Sequence, residues 1–124
     1  MLRTFMNSKI HRATITASDL NYVGSLTLSP ELMDAAGIGI NELVTIVDIN
    51  NGSRFETYTI LGTPGAYEVI VNGAAARLVQ PGDKVIIISY AQLTAEEMIN
   101  HRPTVVHVDE HNRVVESELV PVMA

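Results

Sequence analysis

A glycine followed by a serine, Gly24-Ser25, interrupts a strand-like run of residues in the segment YVGSLTL. A serine hydroxyl can attack the carbonyl of the residue before it and exchange the amide for an ester. Glycine widens the range of backbone conformations through which this attack can occur. A glycine within a strand is also typical of a β-bulge or of a close backbone approach. The pattern therefore leaves two interpretations open, a bulge and a self-processing site.

Two other segments carry polar side chains two residues apart, which are Lys9 and His11 in one segment and Arg54, Glu56 and Tyr58 in the other. Alternate residues of a strand share a face, so each set predicts one polar strand face. Such a face is either a solvated surface or a pocket. In a pocket, Arg54 would grip a carboxylate through two parallel hydrogen bonds and Tyr58 would transfer a proton. The extended strand separates Arg54 from Tyr58 by about 13 Å, so we expect them to bracket a ligand.

Several other kinds of site lack their sequence signatures. The chain has no cysteine, which excludes a thiol nucleophile, a disulfide and a thiolate zinc site. The four histidines, His11, His101, His107 and His111, have no helical metal-ligand spacing, so we expect no metal and interpret them as solvated or hydrogen-bonded. Neither a GxSxG nucleophile elbow nor a GxxxxGK[ST] phosphate loop occurs.

Composition indicates which classes of partner and which cellular compartment to expect. The 14 acidic and 8 basic residues give a net charge of -6, so we expect no nucleic-acid partner and no anionic membrane. The longest apolar run, Val85 to Ile88, is far shorter than the ~20 residues of a membrane span. The first residues, MLRTFMNSKIHR, lack the apolar stretch of a signal peptide, so we expect a cytoplasmic protein.

The 124 residues suggest one domain, and its fold class follows from the residue types. Val, Ile and Thr supply over a quarter of the chain and favour strands. Short spacing between turn residues indicates about seven strands in a closed or nearly closed sheet. The strand-forming segments are Lys9–Thr16, Tyr22–Leu28, Leu43–Ile49, Arg54–Leu61, Tyr67–Val71, Lys84–Tyr90 and Thr104–Val108, with a short returning segment at Arg113–Val115.

Two short helices are also predicted. Ser29 is a good N-cap with Pro30 in the first helical position, which predicts a helix over Pro30–Ala36 that ends at Gly37. Thr94 and Glu97 have the spacing of a capping box, which predicts a helix over Ala95–Asn100.

A family resemblance rests on strings that occur in order from Met1 to about Tyr90, namely MLRTF, SKIHRATIT, DLNYVGS, DAAGI, NGSRFETY, VNGAAA and PGDKVIIISY. Together they resemble the pyruvoyl-dependent aspartate 1-decarboxylases, and the joint presence of YVGS, R-x-x-T-Y and NGAAA makes the resemblance specific. It implies a double-psi β-barrel with short helices. It also implies a lyase that converts L-aspartate to β-alanine and carbon dioxide for pantothenate and coenzyme A biosynthesis.

The resemblance implies that Gly24-Ser25 is a self-processing site, because these residues match the self-cleavage site of the family. The single domain, residues 1–124, would be a zymogen that cleaves itself autocatalytically into a β-chain, 1–24, and an α-chain, 25–124. Ser25 would become a covalent pyruvoyl group, which takes the place of pyridoxal phosphate or a metal and forms a Schiff base with the substrate amine. Thr57 matches the hydroxyl that assists processing, plausibly by stabilising an oxyanion.

The resemblance also assigns a substrate pocket. Arg54 matches the ligand of the substrate carboxylate, Lys9 a second cation and Tyr58 the proton donor. The remaining pocket positions are Thr57, Asn72, Gly73, Ala74 and Ala75, with His11 and Tyr22 as possible members. Family members are homotetramers with active sites between neighbouring subunits. Such an arrangement could bring together residues that one strand keeps apart.

Two other functions stay open beside this one. The chain could be a non-catalytic double-psi barrel that serves as a binding module, or a pyruvoyl decarboxylase for another amino acid. The region beyond Tyr90, with Glu116 and Glu118, resembles the family only loosely. In some relatives this end meets an acetyltransferase-like maturation factor, and processing without such a partner remains the alternative.

Overall fold

Strand-forming residues dominate the chain, and in the computed structural model, which describes residues 1–120, they form a nine-stranded sheet. The strands are β1 (Arg3–Thr14), β2 (Ala17–Asp19), β3 (Ser25–Leu28), β4 (Leu43–Asp48), β5 (Arg54–Leu61), β6 (Val69–Asn72), β7 (Lys84–Leu93), β8 (Thr104–Val108) and β9 (Val114–Leu119). Three short helical segments connect them: α1 (Pro30–Ala36), a 3₁₀ helix (Gly73–Leu78) and α2 (Ala95–Met98).

The sheet is mixed, and its order is β2-β6-β3-β5-β4-β7-β1-β8-β9. The pairs β1·β8, β2·β6 and β3·β5 are parallel, and the other neighbours are antiparallel. A mostly β chain with few short helices confirms the predicted fold class and is consistent with a double-psi β-barrel. None of the helices within residues 1–120 is long and apolar enough to cross a membrane.

The core lies on one face of the sheet, and the polar candidates lie on the other. In β1, Ser8, Ile10 and Ala13 are buried, whereas Lys9 and His11 between them are only partly covered. The buried positions pack with apolar residues of the other strands, including Leu26, Ile46, Val71 and Ile87. Full burial of each such side chain stabilises the fold by about 1.5–3 kcal/mol. The core therefore fixes which residues each strand presents on its outer face.

A bulge in β1 maintains the alternation of buried and partly covered side chains along this strand. The pairing with β7 shifts between His11 and Ala13, and Arg12 between them has a left-handed φ of 64°. The extra residue bends the strand and returns Ala13 to the core after His11 has pointed outward. A second shift lies between Met6 and Ser8. Lys9 and His11 thus lie between two irregularities of the same strand.

Several predicted elements are confirmed with their bounds. β5 and β8 begin and end as predicted, and α1 spans Pro30–Ala36 and ends at Gly37 in a left-handed conformation. Thr94 and Glu97 form the predicted capping box, although α2 ends at Met98 instead of Asn100.

Other predicted bounds are wrong, because pairing partners, and not local sequence, decide where these strands end. β3 begins at Ser25 instead of Tyr22, since its partner β6 ends at Asn72 and offers nothing to pair with earlier residues. β1, β7 and β9 are longer than predicted because each continues along a neighbouring strand. Sequence analysis missed β2 and the 3₁₀ helix. Ser29 occupies the N-cap of α1, but its buried hydroxyl caps nothing and has no hydrogen-bond partner.

Candidate active site

The Ser25 hydroxyl is held at the point where β3 begins. Ser25 pairs with Asn72, the last residue of β6, and both residues are buried. The Asn72 Nδ2 donates to Ser25 Oγ over 3.1 Å and to Thr27 Oγ1 over 2.9 Å. Ser25 Oγ in turn donates to the carbonyl of Val23 over 3.2 Å. The hydroxyl is therefore fixed beside the peptide bond that joins Gly24 to Ser25.

Gly24 immediately precedes β3 and lies outside the hydrogen-bonded pairing of β3 with β6. Ser25–Leu28 pairs with Asn72–Val69 without a register shift, so a β-bulge does not account for the glycine at position 24. Gly24 has no positive φ, and a Cβ there would meet only the Asn72 carbonyl oxygen, at 4.0 Å. The folded chain has room for a side chain at this position. The structure shows no bulge in the β3·β6 pairing, whereas the backbone of Gly24 does closely approach that of Gly73. Self-processing at Gly24-Ser25 stays a prediction.

Tyr58 and Thr57 lie beside Ser25 on the neighbouring strand. β3 and β5 run parallel, and Leu26 pairs with Thr59. Ser25 and Tyr58 each precede one member of this pair, so they occupy adjacent positions on adjacent strands. Tyr58 is exposed, whereas Thr57 points to the opposite face and is partly buried, as the strand alternation predicts. The fold thus places Ser25 and the predicted proton donor Tyr58 side by side on two adjacent inner strands of the sheet.

The predicted cations lie elsewhere on the outer face. His11 pairs with Ile86, Ile86 with Val47 and Val47 with Arg54, which places His11 and Arg54 three strands apart. At about 4.8 Å per strand they are about 14 Å apart along the sheet. Lys9 lies on the same face of β1 as His11, four strands from β3 in the sheet order. Within one chain the fold does not bring Lys9, Arg54 and Ser25 together.

Arg54 lines a cleft of about 690 Å³ on this outer face. Thr45, Glu56, Tyr90 and Gln92 are among the residues that line it with Arg54. Ser25, Lys9 and Tyr58 do not line this cleft. The guanidinium group and the processing serine therefore face different surroundings in a single chain.

Three of the remaining predicted pocket residues, Gly73, Ala74 and Ala75, directly follow Asn72, the residue that pairs with Ser25. Gly73 is buried and begins the 3₁₀ helix directly after Asn72, and Ala74 is exposed while Ala75 is partly buried. Tyr22 lies in the exposed segment before Gly24, with about half of its surface accessible. Of these residues, Gly73 has its backbone against Gly24.

His11 has a neighbour that sequence analysis did not connect with it. His107 of β8 pairs with His11, and their rings meet edge to face with centroids 5.7 Å apart. His107 Nε2 lies 3.0 Å from Glu118 Oε1, while His11 Nδ1 is buried without a hydrogen-bond partner. No sequence signal links the two histidines, because the parallel β1·β8 pairing joins distant parts of the chain.

Sequence analysis interprets the histidines as solvated or hydrogen-bonded, and His101 fits this interpretation. His101 Nε2 is 2.8 Å from the Met6 carbonyl oxygen and is hydrogen-bonded, as expected. Within residues 1–120, no three His, Cys, Asp or Glu side chains are grouped so that they could hold a metal ion.

Burial lowers the pKa of His11, and the nearby Lys9, His107 and Arg12 lower it further by repelling the imidazolium form. Because the folded-state pKa lies below the usual value of 6.5, the folded state binds fewer protons than the unfolded chain between these two values. This group therefore contributes stability that is complete above about pH 6.5 and is lost as the pH falls toward the folded pKa.

Removal of the Lys9 charge should raise the pKa of His11. In Lys9→Met the largest coulombic contribution is gone, so we expect the titration of the His11 ring, followed by NMR, to move to higher pH. Arg3→Met is the matched control, because it removes a cation from the same strand that does not act on His11. Equal His11 titrations in both variants would contradict the placement of Lys9 beside His11.

Comparison with known proteins adds an independent result. The profile of the family described as Aspartate decarboxylase matches residues 1–115, which extends beyond the motifs that end at about Tyr90. A relative named Aspartate 1-decarboxylase in Caldicellulosiruptor bescii is 59% identical over 110 residues, which cover 89% of this chain and 86% of that protein.

Two further relatives carry the same name. The Neisseria meningitidis protein is 60% identical over 114 residues, covering 92% of this chain and 90% of its own length. The Staphylococcus epidermidis protein is 54% identical over 116 residues, covering 94% of this chain and 91% of its own length. With the ordered motifs around Gly24-Ser25, Arg54 and Asn72, these matches show that the chain belongs to the aspartate decarboxylase family.

Proposed function

We propose that this chain decarboxylates L-aspartate at its α-carboxylate, giving β-alanine and carbon dioxide for pantothenate and coenzyme A biosynthesis in the cytoplasm. The observation that carries the proposal is the Ser25 hydroxyl fixed by Asn72 beside the Gly24–Ser25 bond. In the proposal, the single domain of residues 1–124 cleaves there into a β-chain, 1–24, and an α-chain, 25–124. Family membership supports the activity, and the serine geometry supports the source of the electrophile.

The proposed self-processing uses the Ser25 hydroxyl and one water molecule. Ser25 Oγ adds to the Gly24 carbonyl carbon, the C–N bond breaks, and the hydroxyl proton goes to the freed Ser25 nitrogen. Elimination of the resulting ester releases the Gly24 carboxylate and leaves dehydroalanine at position 25. One water then replaces the nitrogen, which departs as ammonia, and a pyruvoyl group remains. Thr57 is the proposed donor to the oxyanion formed in the first step. Because Thr57 lies on the face of β5 opposite Tyr58, this role calls for Thr57 of a neighbouring copy.

The residues around position 25 fit such a group. The Asn72 amide reaches the position from β6, and the backbone of Gly24 occupies the space that a Cβ on Gly73 would fill. The ketone of a pyruvoyl group supplies an electrophile for the substrate amine and a sink for the electrons released on decarboxylation. Asn72, Gly73, Ala74 and Ala75 would line it, with Tyr22 and His11 as possible neighbours.

In the proposal, Arg54 and Lys9 on the outer face of the sheet recognise the substrate. L-aspartate carries two carboxylates and one ammonium group, so its pocket must be positive although the chain has a net charge of -6. Arg54 offers a planar, two-point grip on the carboxylate that is retained, and this grip determines which carboxylate leaves. Lys9 supplies the second positive charge. Tyr58, adjacent to Ser25 on β5, delivers the proton that replaces carbon dioxide at the α-carbon.

One chain separates these groups, so we propose that a second copy completes each site in a homotetramer. Lys9 lies four strands from β3, and Arg54 lies about 13 Å along β5 from Tyr58. Apolar residues near Ser25 are exposed, among them Val23 at 73%, Leu43 at 56% and Tyr58 at 40%. Burial of these side chains against another copy would also bring its cations toward Ser25.

The two other functions make different predictions. A non-catalytic binding module would remain intact and release no carbon dioxide. A pyruvoyl decarboxylase for an amino acid with a single carboxylate would cleave itself but would not need two cations. Lys9 and Arg54, brought to one site by two copies, would favour a substrate with a second carboxylate.

Ser25→Ala should abolish release of carbon dioxide from L-aspartate, since it removes the hydroxyl that attacks Gly24 in the proposal. Ser29→Ala is the matched control, because Ser29 is equally buried and its hydroxyl has no partner. The assay measures β-alanine formation from L-aspartate and compares it with L-alanine and L-lysine as substrates. Activity in Ser25→Ala would contradict the serine assignment, and a preference for a monocarboxylic substrate would contradict the aspartate assignment.

Shared sites predict complementation between two inactive variants. Ser25→Ala lacks the electrophile, and Lys9→Ala retains Ser25 but lacks one cation. In co-expressed mixtures about a quarter of the sites would combine Ser25 of one copy with Lys9 of another, so activity should reappear. The separately expressed variants, mixed only after purification, are the control. Co-expression without recovery would show that each site uses Lys9 and Ser25 of the same copy.

A further inference from the structure

Gly73 has the tightest backbone contact of all the glycines within residues 1–120. A Cβ built on Gly73 would lie 2.5 Å from the Gly24 Cα and 2.9 Å from the Gly24 nitrogen. It would also lie 3.3 Å from the Tyr22 carbonyl oxygen. Real side chains do not tolerate contacts this short, and the atoms involved belong to backbone. The backbone before the Gly24–Ser25 bond therefore rests directly against Gly73.

Local conformation alone does not explain this glycine. Gly73 has a left-handed φ of 75°, but Gly65 has a similar φ of 79°. A Cβ on Gly65 would meet no heavy atom within 4 Å. Both positions require a conformation that glycine adopts without steric cost. The contact with Gly24 is the feature that distinguishes Gly73.

The contact lies next to the bond that is to be broken. Ser25 pairs with Asn72, so Gly24 and Gly73 are the next residues beyond the end of the β3·β6 ladder. Asn72 holds the Ser25 hydroxyl from one side, while Gly73 receives the backbone on the carbonyl side of the same peptide bond. Two consecutive residues thus contact the Ser25 hydroxyl and the Gly24 backbone.

We propose that Gly73 is a positioning residue for self-processing: its missing side chain lets the Gly24 backbone lie where the Ser25 hydroxyl can reach the Gly24 carbonyl. This inference rests on the proposed cleavage between Gly24 and Ser25. It gives Gly73 a role in the precursor, apart from any role in lining the substrate pocket. The step itself is the addition already described, with the Ser25 oxygen joining the Gly24 carbonyl carbon and the C–N bond breaking.

The size of the effect follows from the geometry. Ordinary contacts of a Cβ begin at about 3.4 Å, so a methyl group on Gly73 would displace Gly24 by about 1 Å. A misplacement of about 1 Å at reacting atoms lowers rates by about a hundredfold. We therefore expect Gly73→Ala to cleave about a hundredfold more slowly than the unaltered chain.

The experiment compares Gly73→Ala with Gly65→Ala, which has the same backbone conformation without the contact. Freshly isolated precursor is incubated, and the fraction cleaved between residues 24 and 25 is followed by denaturing mass spectrometry. Circular dichroism and thermal denaturation report whether each variant is folded. The expected result is a folded Gly73→Ala that stays uncleaved while Gly65→Ala cleaves at the unaltered rate. Equal cleavage in both variants would overturn the inference.

A second pair keeps the test decisive if Gly73→Ala does not fold. Gly73→Asn and Gly65→Asn also introduce a Cβ, but asparagine adopts the left-handed conformation more readily than alanine. We expect Gly73→Asn to fold and to cleave slowly. If neither Gly73 variant folds while both Gly65 variants do, the contact serves the fold and the inference is wrong. If the unaltered chain is not cleaved, the proposed function itself fails.

Discussion

The pairing of Ser25 with Asn72 is the interaction on which the rest of the site depends. It ends the β3·β6 ladder immediately before the Gly24–Ser25 bond, and it brings the Asn72 amide to the serine hydroxyl. Because β3 also pairs with β5, the same strand places Ser25 next to Tyr58. The buried residues Leu26 and Val71 hold this register, since a slip by one residue would exchange the inner and outer faces. A packed core thus fixes the position of one hydroxyl.

Electrostatics imposes a second constraint. An acidic chain must assemble a positive pocket for a dicarboxylic substrate, yet its outer face spreads Lys9, His11 and Arg54 over three strand spacings. Separation lowers the repulsion among these cations in the single chain. Burial lowers the pKa of His11, and the nearby Lys9 lowers it further by repelling the imidazolium form. The proposed assembly from two copies would let Lys9 and Arg54 converge only where an anionic substrate compensates their charge.

Local sequence was sufficient for elements that are defined by local interactions. α1, β5 and β8 follow from capping residues and alternation, and the polar faces of β1 and β5 follow from the two-residue period. The start of β3, the β2 strand and the contact of His11 with His107 depend on partners far along the chain, so no local pattern predicts them. The motifs identified Gly24-Ser25 and Asn72-Gly73 as important. Only the fold showed that the backbones of Gly24 and Gly73 touch.

The central claim is that one serine beside one glycine becomes the reactive group of a chain that has no cysteine. Denaturing mass spectrometry of the purified, active protein tests it most directly. We expect two chains, residues 1–24 and residues 25–124, with the second blocked at its N-terminus because residue 25 has lost its amine. A single intact chain of 124 residues that still converts L-aspartate to β-alanine would contradict the account.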